Sequence, residues 1–365
     1  MRAGIFNFGQ YSTPWHARCE KSALGQGAHI IRNVCAERGI DVFDLCARWE
    51  QVDVLMVTMY WWEHLYDLIA HLAAKGIQYD RRKRAGRPIL FVGGQLPSYN
   101  PGPMREVVDL VCVGDGEQAA PVVLEKLAQG VPLAELVHVP GIYVSEVDNR
   151  ATWQHVDDIS ATLRFPFVNH ALLTGKSGVR QEKSWERRIE IARGCRRKCL
   201  FCGVSWTKRY REQNAQAVVD EMLKTDGCVK CFAPDLRAHS QWDVIQQAYR
   251  DSKRVNQARD ISTRVILRKG FGTSRLYFTG IDGISERIRR ALSKPLTRAQ
   301  LIEVVEKSNG HMGSLSMYMI LGLPGETLED VAEWFETLAA VELKATRELT
   351  KQDVSRGFSA ERFFV

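Results

Sequence analysis

The chain has 365 residues, 45% of them hydrophobic and 25% charged, with a net charge of +7, which is ordinary for a soluble globular protein. No apolar run approaches the ~20 residues needed to cross a bilayer. The stretch Met1 to Phe8 lacks the apolar block and cleavage site of a signal peptide, so a cytoplasmic protein with no membrane association is expected. At this length two domains are expected, since single cores seldom grow past about 250–300 residues. Nine cysteines in such a chain point to metal or redox chemistry in a reducing compartment, not to a disulfide scaffold.

From the N-terminus, Ala3 to Phe8 reads as a strand and Gln10 to Cys19 as a polar loop. Ala28 to Arg38 is a helix: Ile30, Ile31, Val34 and Cys35 recur at helical spacing, and Gly39 sits where a helix stop belongs. Val42 to Leu45 and Val52 to Tyr60 are strands. Trp62 to Lys75 is an amphipathic helix with Leu65, Leu68, Ile69 and Leu72 on one face. Pro88 to Gly94 is a strand with a glycine turn, and Val107 to Val113 a strand closed by Gly114-Asp115-Gly116-Glu117. Ala119 to Gln129 is a helix ended by Gly130. Such alternation implies a parallel sheet covered on both faces. Ligands bind beyond the carboxyl ends of its strands, where Gly93-Gly94 and Gly114-Asp115-Gly116 lie. Tight turns favour glycine for their own sake, so the turns alone assign no ligand. Trp61 and Trp62 follow the strand at that edge, where they face a flat ligand or pack into the core. Residues 151–187, of mixed polarity with Pro166, read as a linker.

Cys195, Cys199 and Cys202 form CxxxCxxC within a basic loop. Three thiolates can hold three irons of a [4Fe–4S] cluster and leave the fourth iron open as a chemical site. Zinc is the rival reading. It wants four ligands and would draw on Cys228, Cys231 or a histidine. A short strand (Arg188 to Ala192) precedes the cysteines and a helix (Ala215 to Leu223) follows, the layout expected at the mouth of a parallel α/β barrel. Val229 to Asp235 is a strand with a carboxylate at its end. Cys228 just before it and Cys231 within it read as buried thiols, because a strand points the two apart. Gln241 to Ser252 is helical, and Ser262 to Leu267 and Arg275 to Thr279 are strands. Arg298 to Lys307 is a helix, Leu315 to Leu321 a strand ending in a turn over Gly322 to Thr327, and Leu328 to Leu338 a helix. Arg362 to Val365 is a candidate last strand.

The cysteine motif, with Phe201 before its last cysteine, resembles that of the radical S-adenosylmethionine (SAM) superfamily. Gly280-Ile281-Asp282-Gly283-Ile284-Ser285-Glu286-Arg287 is similar to a superfamily segment in which Glu usually stands at the position of Asp282. Gly322-Leu323-Pro324-Gly325-Glu326-Thr327 resembles the superfamily turn near the adenine of SAM. The N-terminal alternation, with Gly93-Gly94-Gln95-Leu96-Pro97 and Gly114-Asp115-Gly116-Glu117, is similar to the cobalamin-binding domain that precedes the barrel in one branch of these enzymes. The resemblance covers nearly the whole chain. It implies an α/β protein: a doubly wound, Rossmann-type parallel sheet over 1–150, a linker over 151–187 and a partial (β/α)6 TIM-type barrel over 188–365.

The resemblance also implies a [4Fe–4S] cluster on Cys195, Cys199 and Cys202, with SAM chelating the open iron and yielding a 5′-deoxyadenosyl radical. Phe201, Asp235, Asp282, Gly322, Leu323, Pro324, Gly325 and Glu326 would surround SAM. Thr58, Gly93, Gly94, Gly114, Gly116 and Glu117 would cradle cobalamin. No Asp-x-His-x-x-Gly is present, so the domain either binds cobalamin without a histidine ligand or keeps the fold without the cofactor. Methyl transfer to an unactivated carbon is the commonest reaction of that branch and the first expectation. A radical rearrangement or oxidation is the enzyme alternative, and a degenerate cluster-binding partner subunit the non-enzyme one. A tRNA methylthiotransferase is disfavoured, since Cys19, Cys35, Cys46 and Cys112 do not form that family's N-terminal pattern. The basic residues around the cysteines suit an acidic electron donor of flavodoxin or ferredoxin type better than nucleic acid. The substrate, a small molecule or peptide, is not legible. The early C-terminus reads as a compact form, a truncation or a barrel completed by a partner.

Overall fold

A computed structural model describes residues 1–8, 25–44, 49–84, 87–171, 184–225, 228–251, 262–271, 276–309 and 314–348. The chain divides into two units, Met1–Phe167 and Val168–Val365.

The first unit runs β1 (Ala3–Asn7), α1 (Gln26–Glu37), β2 (Val42–Asp44), β3 (Val54–Thr58), α2 (Glu63–Ala74), β4 (Ile89–Gly93), α3 (Gln95–Tyr99), β5 (Leu110–Cys112), α4 (Gly116–Ala128), β6 (Ile142–Val144) and α5 (Ala161–Arg164). Its sheet has the order β2-β1-β3-β4-β5-β6, parallel except for the antiparallel β5–β6 pair. Side chains alternate across a strand, and both faces are filled. Val54 and Met56 of β3 join a core with Phe91, Leu110, Ile142 and the inner faces of α1 and α4. Leu55 and Val57 join a second core with Leu90, Val92, Val111, Tyr143 and Leu68 and Leu72 of α2. Burial on both faces is why β3 and β4 read as continuous apolar runs. A buried ion pair pins the strand ends: Arg84 Nη2 donates to Asp109 Oδ2 at 2.7 Å, and Leu90 N–H donates to the same oxygen at 2.7 Å.

Residues 151–164 fold against this sheet. Gln154 bridges Gly114, Asp115 Oδ2 accepts the Val156 N–H at 3.1 Å, and Ala161 and Thr162 are buried.

The second unit contains β7 (Phe167–Ala171), β8 (Ser184–Glu190), β9 (Ala192–Arg193), α6 (Gly203–Thr207), β10 (Arg211–Glu212), α7 (Ala215–Lys224), β11 (Cys228–Phe232), α8 (Trp242–Asp251), α9 (Thr263–Lys269), β12 (Leu276–Asp282), α10 (Glu286–Ala291), α11 (Arg298–Asn309), β13 (Ser314–Met319) and α12 (Leu328–Glu348). Its sheets are β11-β8-β7, β12-β13 and the small β10-β9 ladder. The β8–β11 and β12–β13 pairs are parallel, so this unit too is α/β in character. The proposed last strand, Arg362 to Val365, lies outside the described residues, as do Cys19 and Cys46.

The strand expected over Ser262 to Leu267 is instead α9. Its Thr, Val and Ile are β-branched and favour strands by propensity. Thr263 and Ile266, three apart, are nevertheless the buried pair. Gly270, at φ 67°, closes the helix by donating its N–H to Ile266 O at 2.9 Å.

Candidate functional site

The three cysteines lie on a loop whose base is clasped by β9 and β10, Ala192 opposite Glu212 and Arg193 opposite Arg211. Arg193 is held by Glu190 at 2.8 Å. The loop is stitched internally. Cys202 N–H donates to Cys199 O at 3.1 Å, Ser205 N–H to Cys202 O at 3.0 Å and Trp206 Nε1–H to Cys199 O at 2.8 Å. Cys195 Sγ accepts the Arg197 N–H at 3.4 Å. Two cations lie over rings of the same loop, Arg196 at 4.4 Å from Tyr210 and Lys198 at 5.2 Å from Trp206.

Burial pushes the Cys195 and Cys199 thiols up, and the neighbouring cysteines oppose their ionisation further. Among the described residues, no group of three or more His, Cys, Asp or Glu side chains converges as for a single metal ion. A set of thiols spaced around a larger cluster places the sulfurs apart and leaves one metal position open. Cys231 is committed elsewhere. It is buried against Met222, its thiol pushed up to about 12 by burial, and its N–H donates to Tyr249 Oη at 2.9 Å. The side chain of Cys228 lies outside the described part of its strand.

The loop opens on a cleft of about 340 Å³ lined by Arg196, Arg197, Lys198, Cys199, Asp235, Arg264 and Lys294, among others. Asp235 follows β11 and is buried. Its Oδ2 accepts Arg197 Nε–H at 2.7 Å, while Oδ1 has no hydrogen-bond partner among the described residues. Arg197 Nη2 also donates to Ser262 Oγ at 2.7 Å. A buried carboxylate oxygen without a partner is costly, and this one stands in a cleft with five cations. The arrangement suits a ligand that brings both a hydrogen-bond donor and an anionic group.

Asp282 ends β12 close to this cleft through its ion pair with Lys294, which lines it. Ile320 N–H donates to Asp282 O at 3.0 Å, placing the Gly322 to Glu326 turn beside the same strand end. Leu323 and Glu326 in that turn are half-buried and Gly322, Pro324 and Gly325 exposed. None of the five lines the cysteine cleft. Phe201 is exposed on the cysteine loop. Sequence reasoning missed Arg264, Ser293 and the pairing of Arg197 with Asp235. Arg264 was hidden by the strand reading of its segment.

In the first unit, the strand order 2-1-3-4-5 places a topological switch point between β1 and β3. At their carboxyl ends lie Asn7 and Thr58, paired in register. Gly93 and Thr58 are neighbours across β3 and β4, both half-buried. Asn7 Oδ1 and His64 Nε2 are buried without partners among the described residues. His64 Nδ1 accepts the Tyr60 N–H at 3.0 Å, and burial lowers the imidazole's proton affinity. The ring is thereby neutral with Nε2–H unused. Gly94 and Gly114 answer to the fold itself. Both have positive φ, 113° and 105°, and a Cβ would lie 2.3 Å from Met59 O and from Gln154 O respectively. Gly116 and Glu117 open α4, where a Cβ on Gly116 would press to 3.0 Å on Ile31 of α1.

Residues 34–144 match the family model described as "Radical SAM proteins, N-terminal". Among solved structures, the chain is similar in fold to the cobalamin-dependent S-adenosylmethionine radical enzyme OxsB with aqua-cobalamin and S-adenosylmethionine bound. That match has a TM-score of 0.62 at 13% identity and covers 92% of this chain and 51% of that one. It is likewise similar to the radical S-adenosylmethionine methyltransferase TsrM from Kitasatospora setae with tryptophan substrate and aza-SAM bound. There the TM-score is 0.59 at 14% identity, over 94% of this chain and 72% of that one. TsrM with cobalamin and a [4Fe–4S] cluster bound gives 0.56 at 14% identity. The chain thus spans about half the length of OxsB, 51%. No curated protein matches it. Among the described residues, no helix is long and apolar enough to cross a membrane.

Proposed function

We propose that this chain is a radical SAM enzyme of the cobalamin-domain type, most simply a methyltransferase acting on an unactivated carbon. One observation carries the reading: the clasped loop that bears the three cysteines opens, at Cys199, on a cationic cleft that holds a buried, half-partnered carboxylate. The family-model match over the first unit and the likeness in fold to OxsB and TsrM support it. When bound together, a [4Fe–4S] cluster and SAM supply a 5′-deoxyadenosyl radical.

The chain's own residues have definable parts. Cys195, Cys199 and Cys202 provide three thiolates, which must lose their protons on loading. Asp235 Oδ1 accepts a hydrogen bond from the ligand, and Arg197 holds that carboxylate in place. Arg196, Lys198 and Arg264 draw in the anionic end of the ligand. The exposed Arg196, Lys198 and Arg209 also suit an acidic electron donor. In the first unit, the partnerless Asn7 and His64 atoms and the half-buried Thr58 and Gly93 mark the edge where cobalamin would sit.

Anaerobic reconstitution is the test. About four irons and four sulfides per chain are expected, the content of one cubane cluster, and changing Cys195, Cys199 and Cys202 together to Ala should abolish the visible absorbance. Reduced, reconstituted protein with SAM should release 5′-deoxyadenosine. Absence of that product with a competent reductant would move the reading to a cluster-binding partner subunit.

A further inference from the structure

One ion pair outside the cysteine loop stands against it. β12 ends at Asp282, whose backbone is left-handed at φ 64°, where its register with β13 slips between Gly280 and Asp282. Asp282 is 8% exposed. Lys294 Nζ donates to Asp282 Oδ2 and, at 2.5 Å, to Gly280 O. A Cβ at Gly280 would lie 2.7 Å from Asp282 Oδ1 and 3.1 Å from Lys294 Nζ, so the pair occupies space that only glycine leaves.

The segment that carries Lys294 is fixed from both sides. Arg289, fully buried, donates to Leu296 O at 2.7 Å, Gly283 O at 3.1 Å and Ile284 O at 3.2 Å. Lys294 N–H in turn donates to Arg289 O at 2.9 Å. On the other side, Leu200 N–H of the cysteine loop donates to Leu292 O at 3.1 Å. Lys294 and Cys199 consequently line the same cleft.

We propose that the Lys294–Asp282 pair sets the reduction potential of the cluster, Lys294 raising it and Asp282 tempering that effect; this rests on the reading of the three cysteines as cluster ligands. Reduction adds one electron, taken from an external reductant, to a site already made anionic by thiolates. A fixed cation beside one of those thiolates stabilises the more negative state, and partial burial strengthens the effect over its value in water. Asp282 orients the ammonium and cancels part of its field. The pair is a positioning and tuning device, and the shorter carboxylate at 282 is spent on Lys294.

The test uses full-length protein reconstituted anaerobically, with Lys294→Met, Asp282→Asn and Lys294→Arg beside the wild type. Iron and sulfide are counted first, and an EPR-monitored dithionite titration without SAM then gives each midpoint potential. The potential should fall in Lys294→Met, rise in Asp282→Asn and stay near wild type in Lys294→Arg. Unchanged potentials, or shifts of one sign in Lys294→Met and Asp282→Asn at wild-type iron content, overturn the proposal. Loss of the cluster from both Lys294 variants also overturns it, because the residue would then hold the loop and not tune it. If Asp282→Asn alone fails to load, the two Lys294 variants decide. A wild type that takes up no iron overturns the cluster reading itself, an outcome distinct from a loaded wild type whose variants do not shift.

Discussion

At Gly94 the backbone sits at φ 113° and ψ −172°, a region only glycine occupies comfortably. Gly94→Leu should cost roughly 1–3 kcal/mol in backbone strain alone, with the clash on Met59 added, and urea denaturation would record the loss with or without any ligand. Gly93 has ordinary φ and a Cβ there would meet only Cys112 Cβ at 3.7 Å. Gly93→Ala should leave the fold intact, and it is the more informative probe of a ligand at this edge. Asp109→Ala strands the buried Arg84 guanidinium and should cost about 3–5 kcal/mol, read as a lower denaturation midpoint. The cysteines were legible in the sequence because their spacing is local and chemically specific. Arg197 with Asp235, and Lys294 with Asp282 beside Cys199, were not. Their meeting depends on which strand ends and loops come together, and nothing in the local pattern says so.

At the scale of elements, the N-terminal ends of α10 and α12 share one carboxylate. Asp330 accepts Thr327 N–H at 2.8 Å, closing the first turn of α12 in the manner of a capping box, and also Ser285 Oγ–H at 2.5 Å and Arg287 Nε–H at 3.1 Å. Ser285 in turn caps α10 by accepting Ile288 N–H at 3.1 Å. Arg287 foremost, with Ser285 and the Thr327 N–H, holds the Asp330 carboxyl well below the usual carboxylate range. A folded-state value below the unfolded one means stability that is complete above the unfolded value and lost as pH falls through the folded one. Asp330→Asn should therefore be less stable than wild type at neutral pH, by about 1 kcal/mol on the scale of a lost cap. The gap should close in thermal melts taken below about pH 4, where the wild-type carboxyl begins to protonate in the unfolded chain. Most elements were readable from apolar period and glycine stops: α1, α2 and α4 begin and end within a few residues of expectation. α9 was not, because three β-branched residues outweighed a seven-residue helical pattern too short to declare its period.

For the molecule as a whole, the parallel sheet of the first unit was legible from alternation alone, whereas its order was not. Periodicity specifies which residues face a core but leaves open which strands are neighbours. The observed order sets the crevice at β1 and β3, near Asn7 and His64, as well as at the glycine turns. Equilibrium binding of hydroxocobalamin to the full-length, reconstituted protein tests that edge. A bound corrinoid should show the spectrum of a form without a nitrogenous lower ligand. No binding at high micromolar cobalamin would remove both the cofactor and methyl transfer as the leading reaction.

The sheet of the first unit has another property of shape. Three of its inner strands, β1, β3 and β4, are five residues long and the fourth, β5, has three; the strands at its two borders, β2 and β6, also have only three each. A border strand exposes a row of unsatisfied N–H and C=O groups to which a second sheet can add. Three residues offer too little of that row to template another strand, and β6 runs against its neighbour, so the border does not continue the parallel pattern. This unit is accordingly guarded against edge-to-edge aggregation by the brevity of its margins, which carry one charged residue, Asp44, and no proline.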